Sequence, residues 1–144
     1  MKKLFLLLIF SVLCGIAYSP EYKCLYIAKA TEINPIKRIW DAICFIESSN
    51  NPKAYNRVER ATGIVQIRPI RLRDFNQQTG KHYKINEMFD PVKSKEIFIF
   101  YANKYNPYDY EGISREWNGK YGHTDKYWKR VKNELQRQKS KNKK

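Results

Sequence analysis

Apolar residues recur at helical spacing in five stretches of the chain, and the residues between them mark where each helix starts and stops. Pro35 opens the first, with Ile36, Ile39, Trp40, Ile43 and Ile46 on one stripe, and Ser49-Asn50-Asn51-Pro52 ends it. The polar segment 51–62 holds the one expected strand region, a small hairpin, and leads into the short apolar stretch Gly63-Ile64-Val65-Gln66-Ile67. Pro69 stands at a first helical position for Ile70 to Gln78, which Gly80 closes. Asp90-Pro91 is an N-cap and N1 pair for a helix from Val92 to Lys104, with Pro107 as a stop behind it. Its Ile97-Phe98-Ile99-Phe100-Tyr101 run is apolar nearly all the way round, which predicts a central helix. Ser114 reads as the cap of a short helix through Trp117. Thr124 reads as the cap of a last one, in which Tyr127, Trp128, Val131 and Leu135 form one stripe. The expected fold class is mainly α, with at most a small β-hairpin region.

A length of 144 residues suits one compact domain and therefore one active site. Lys2 and Lys3, the apolar run Leu4 to Cys14 and the small residues up to Ser19 follow the order of a secretory signal peptide, with cleavage expected after Ala17 or Ser19. The rival reading is an uncleaved anchor, but the apolar run is shorter than the roughly 18 to 20 residues a spanning helix needs. Residues 20–34 then form a leader, 35–136 the folded domain, and 137–144 a basic tail. The tail has no apolar face and is expected to be disordered, serving as an adhesive end for an anionic surface or simply to solubilise. The product is expected to be a monomer, exported to the periplasm, the cell surface or the medium, with no stable membrane span.

Charge narrows the choice of partner. The net charge of +14 attracts polyanions, and only two of those charges leave with the signal peptide. Export removes nucleic acid as a partner, and no helix shows a dedicated basic reading face, so the anionic polymers within reach are those of the envelope. Cys24 and Cys44 would be the only thiols of the mature chain. They suit either one disulfide or a buried apolar Cys44 with a free Cys24.

Glu47 lies four residues after Ile43, seven after Trp40 and eight after Ile39, so a carboxyl continues the apolar stripe of its helix. Desolvation and the negative end of the helix dipole both favour the protonated form there. A carboxyl held neutral near pH 7 can donate a proton to a glycosidic oxygen. Spacing alone also permits a structural Glu paired with a nearby Lys or Arg.

Three segments add to this. Glu47-Ser48, then Gly63-Ile64-Val65-Gln66-Ile67-Arg68-Pro69, then Glu116-Trp117-Asn118-Gly119 resemble, in order and spacing, the motifs of the soluble lytic transglycosylase family: Glu-Ser, Gly-Leu-Met-Gln-Ile with a following Pro, and Ala-Tyr-Asn. Asp90-Pro91 and the stripe from Tyr127 to Val131 resemble further family features, so that the likeness spans roughly Ile36 to Leu135. It implies a lysozyme-like fold and Glu47 as the single catalytic acid and base. The substrate implied is the peptidoglycan glycan strand, cleaved between N-acetylmuramic acid and N-acetylglucosamine with formation of a 1,6-anhydro end. No metal or other cofactor is implied. Ser48, Gly63, Gln66, Trp117, Asn118 and Tyr127 are the implied substrate-binding residues. Gly63 would bring backbone close to a sugar, Gln66 and Asn118 would offer donors and acceptors, and Trp117 and Tyr127 would offer apolar faces, while Tyr101 is read mainly as core.

Departures from the family pattern keep alternatives open. Trp117 stands where the family has Tyr, so a hydroxyl near the acid is missing, and Glu116 replaces Ala. A hydrolytic muramidase would need a second carboxylate, for which Glu59 is the candidate. A non-catalytic wall-binding protein would keep the groove without turnover. The small size also suits an enzyme that makes space in the wall for a larger envelope assembly.

Overall fold

The computed structural model describes residues 34–119 and 124–141. Helix α1 spans Pro35–Ser48, strands β1 and β2 span Tyr55–Asn56 and Ala61–Thr62, and α2 spans Pro69–Thr79. A 3-10 helix, Ile85–Phe89, precedes α3 (Pro91–Ala102), α4 (Tyr110–Asn118) and α5 (Thr124–Lys141). The fold is mainly helical, with one small antiparallel pair in the register Tyr55↔Thr62 and Asn56↔Ala61. Among the described residues no helix is long and apolar enough to cross a membrane. The expected signal peptide, and the leader as far as residue 33, lie outside the described residues.

Local chemistry explains most boundaries. After α1, Ser49 and Asn50 take left-handed φ values of 54° and 65°. Their amides return to Phe45 O and Cys44 O, which closes the helix as a glycine cap would. The Asp90 carboxylate accepts from Val92 N at 2.8 Å and starts α3 as expected. Gly80, at φ 70°, ends α2. In the hairpin turn, Asn56 Oδ1 accepts from the amides of Val58 and Glu59.

Helix α3 is central: it packs on α1, α2, α4 and the 3-10 helix, and it buries Ile97, Phe98, Tyr101 and Ala102. Phe98 lies edge-on between Trp40 and Trp117, with ring centroids 5.3 and 5.2 Å away. Helix α1 packs against α5, which also covers α4. Cys44 fills the core as a free thiol, its pKa pushed up to about 12, chiefly by burial; Cys24 lies outside the described residues.

Several expectations are corrected. Asp109, not Ser114, starts α4, because its carboxylate accepts from Gly112 N at 2.8 Å. Ser114 is buried in mid-helix and returns its hydroxyl to Tyr110 O at 2.6 Å. Helix α3 stops at Ala102, two residues short of Lys104. The basic stretch from Arg137 is helical as far as Lys141 rather than disordered. There the Arg137 guanidinium forks onto the buried Glu134 carboxylate and lies 4.5 Å over the Phe45 ring, which fastens the final turns to α1.

Gly63 also has a different role. At φ +83°, a Cβ on this residue would stand 1.8 Å from Met88 O, so its missing side chain admits the 3-10 helix rather than a sugar. Gly63→Ala is therefore expected to destabilise the fold by about 3 kcal/mol or more. Urea denaturation followed by circular dichroism checks this, with the loss read as a lower midpoint at unchanged slope.

Candidate active site

The last turn of α1 delivers Glu47 into a cleft of about 620 Å³. One wall is the polar face of α2, with Arg71, Asp74 and Gln77; the other comes from Trp117 and Asn118 on α4 and Tyr127 and Arg130 on α5. The volume is in the range of ordinary ligand sites.

Burial raises the pKa of the Glu47 carboxyl above its ordinary value of 4.5. The hydrogen bond from Tyr127, then the charges of Arg130 and Arg68, oppose the rise, and Glu59 adds to it. The Tyr127 hydroxyl donates to Glu47 Oε1 at 2.7 Å. The pKa of Tyr127 itself is strongly raised, first by burial and then by Glu47, so the phenol stays protonated and remains a donor. A phenol hydroxyl beside the acid is thus supplied from α5. The sequence assigns Tyr127 to a sugar face; in the fold it is buried against the acid, and its hydroxyl holds the carboxyl.

Other expected residues divide between wall and scaffold. The Ser48 hydroxyl lies 2.7 Å from Ile64 O and 3.2 Å from Cys44 O, so its proton is committed to the backbone. It ties the end of α1 to the 63–67 turn and does not line the cleft. Gln66 does line it, at a left-handed φ of 52°. Its amide nitrogen donates to Gly63 O at 2.9 Å and Ala54 O at 3.3 Å, which leaves its carbonyl oxygen for a ligand. Trp117 is 6% exposed and donates Nε1–H to Val65 O at 3.3 Å, so it is core on one side and cleft wall on the other. Asn118 lines the cleft wall. Tyr101 is buried, and its hydroxyl meets Asp74 at the cleft edge.

Arg71 is a residue that motif reasoning misses. Its Nη2 donates to Glu116 O at 3.0 Å and Trp117 O at 2.9 Å. Its guanidinium also lies 4.6 Å over both the Tyr101 and Trp117 rings. It caps the end of α4 and fixes the wall that carries Asn118. Arg130 was missed as well; it donates to Ile46 O at 3.0 Å beside the acid. The polar faces of α2 and α5 were visible in the sequence, but nothing in it marked which polar face meets a cleft. Glu59 lines the cleft about half exposed, 3.2 Å from Arg68 Nε in an ion pair. Among the described residues no cluster of His, Cys, Asp and Glu is suited to hold a metal ion.

The profile of the transglycosylase SLT domain matches residues 26–126. The chain belongs to this family. No curated protein and no solved structure matches it. At the family level the activity is that of a lytic transglycosylase acting on peptidoglycan, on a lysozyme-like, mainly helical fold. All three motif segments fall within the match, whereas Tyr127 stands one residue beyond it.

Two predictions follow from the electrostatics of the acid. Because folding raises the Glu47 pKa, the native state holds this proton more tightly than the unfolded chain. Stability is then lost as pH rises from the ordinary value through the folded one. Glu47→Gln lacks that loss, so it is expected to melt higher than the parent at pH 8, with the gain fading below pH 4.5; thermal melts across pH measure it. Tyr127→Phe removes a bond that lowers the Glu47 pKa, so the carboxyl should titrate at higher pH, as followed by NMR of the labelled glutamate. The lost hydroxyl should also cost about 1 to 2 kcal/mol of stability.

Proposed function

We propose that the chain is an exported lytic transglycosylase in which Glu47 alone performs the acid and base steps. The neutral carboxyl protonates the oxygen leaving C1 of N-acetylmuramic acid. The resulting carboxylate then takes the proton of that sugar's own 6-hydroxyl as its oxygen bonds to C1, which closes the 1,6-anhydro ring. The Tyr127 hydroxyl holds the carboxyl in place and stabilises the anion between the two steps.

The observation that carries this reading is a half-buried carboxyl with raised pKa, facing the cleft and held by one phenol. The candidate second carboxylate, Glu59, is about half exposed and already engaged with Arg68, whereas Glu47 is the carboxyl held by a phenol with a raised pKa, which favours a single-acid mechanism over hydrolysis. Export is supported by the order of Lys2, Lys3 and the apolar run that follows them. The substrate is the glycan strand of the wall, and the enzyme acts as a monomer without a cofactor.

Digestion of purified peptidoglycan, with products read by mass spectrometry, tests the proposal. The mature protein should release anhydro ends, and Glu47→Gln should lower the rate by at least about 1,000-fold. Reducing ends would replace the proposal with a hydrolytic muramidase, and intact binding without cleavage would replace it with a wall-binding protein.

A further inference from the structure

The cleft is lined by four arginines (Arg68, Arg71, Arg73, Arg130) and four carboxyl groups (Glu47, Glu59, Asp74, Glu116), and they differ in how far each is already partnered. Glu59 is paired with Arg68. Asp74 accepts from the Tyr101 hydroxyl and from Gln78, and Glu116 accepts from the Tyr105 hydroxyl at 3.0 Å. Glu47 is held by Tyr127, and Arg71 is held between two rings and two carbonyls.

Two guanidiniums remain. Arg73 is exposed and has no hydrogen-bond or ion-pair partner among the described residues. Arg130 is exposed and, among the described residues, bonds only the Ile46 carbonyl, which leaves most of its five N–H donors open to a ligand there. Arg130 is fixed beside the acid, one turn along α5 from Tyr127. Arg73 lies five residues beyond Arg68, about 7 Å farther along the α2 axis. The cleft therefore presents two unspent cations along its length, one at the acid and one away from it.

A glycan strand of N-acetyl sugars is neutral along its backbone. In peptidoglycan the anionic groups hang from the lactyl arms of alternate sugars, either as the free lactyl carboxylate or as carboxylates of an attached stem peptide. A guanidinium is the side chain whose planar fork fits a carboxylate with two parallel hydrogen bonds.

We infer that Arg130 and Arg73 form a carboxylate subsite that takes the anionic muramyl arms, so that the cleft reads the charge of the strand as well as its sugars. The inference rests on the peptidoglycan reading. It assigns a specificity role to both residues and a preference for wall whose carboxylates are free over wall in which they are amidated.

The test is binding, with Glu47→Gln as the parent so that no ligand is consumed and any effect of Arg130 on the acid is removed. Affinities are measured at low salt for four ligands of equal glycan length: the denuded strand and the stem-bearing strand, each with carboxylates free or amidated. The parent should bind a free-carboxylate strand about ten-fold more tightly than its amidated twin. The ratio should fall to about one when Arg73→Gln and Arg130→Gln are combined, with affinity for the amidated strands little changed. The corresponding Lys substitutions should keep part of the ratio. A preference shown only by denuded strands assigns the lactyl carboxylate, and one shown only by stem-bearing strands assigns the peptide. Equal affinity for twins in the parent, or a ratio that survives the double substitution, overturns the subsite and leaves the enzyme reading intact. Failure to bind any strand would overturn both.

Discussion

A carboxyl half buried at the end of a helix governs the rest of the architecture, because it is costly to bury unless something bonds it. Here the partner is the Tyr127 hydroxyl, 2.7 Å from Glu47 Oε1 and contributed by the last helix of the chain. Helices α1 and α5 must therefore meet where the chemistry occurs, and they do so along an extended packing contact. One turn after Tyr127, Arg130 bonds Ile46 O, and two turns further Arg137 lies over Phe45 while gripping Glu134. The charged end of α5 is thus part of what holds the acid in place.

The 63–67 turn and the end of α4 are held by a second set of contacts, all made through backbone carbonyls. Ser48 bonds Ile64 O, Trp117 bonds Val65 O, Gln66 bonds Gly63 O, and Ser94 bonds the Met88 carbonyl that Gly63 lies against. Arg71 does the same for the end of α4. A carbonyl acceptor does not depend on the side chain at its own position, which suits a cleft whose motifs depart from the family pattern at Ile64, Val65 and Glu116, each of which offers its carbonyl here. They also show why motif residues divide between scaffold and ligand face: the 63–67 turn must first be fixed against α1 before Gln66 can point anywhere useful.

Much of the fold was legible in the sequence because its signals are local. Pro35, Pro69, Gly80 and Asp90-Pro91 act on the backbone within a few residues, and each does so in the fold. Ser114 misled because a hydroxyl can cap a helix or bond back within one; Asp109, five residues earlier, took the cap. The tail misled because a helix without an apolar stripe can still form when it continues a packed one and a buried Glu134 anchors it. The 3-10 helix at Ile85–Phe89 was not foreseen, its sequence having no period to reveal it.

The sequence by itself determined that Glu47 lies on the buried stripe of its helix, that the chain is mainly helical, and, through its motifs, the family. Helical periodicity states which face a residue occupies, and that suffices for these conclusions. It does not state what stands opposite. Only tertiary packing decided that Tyr127, eighty residues away, would bond the acid, that Gly63 would admit the 3-10 helix, that Arg71 would hold the end of α4, and that Arg73 and Arg130 would reach the cleft without a carboxylate partner among the described residues. These are relations between elements brought together by burial of their apolar faces, and the polar partners then follow from which faces meet.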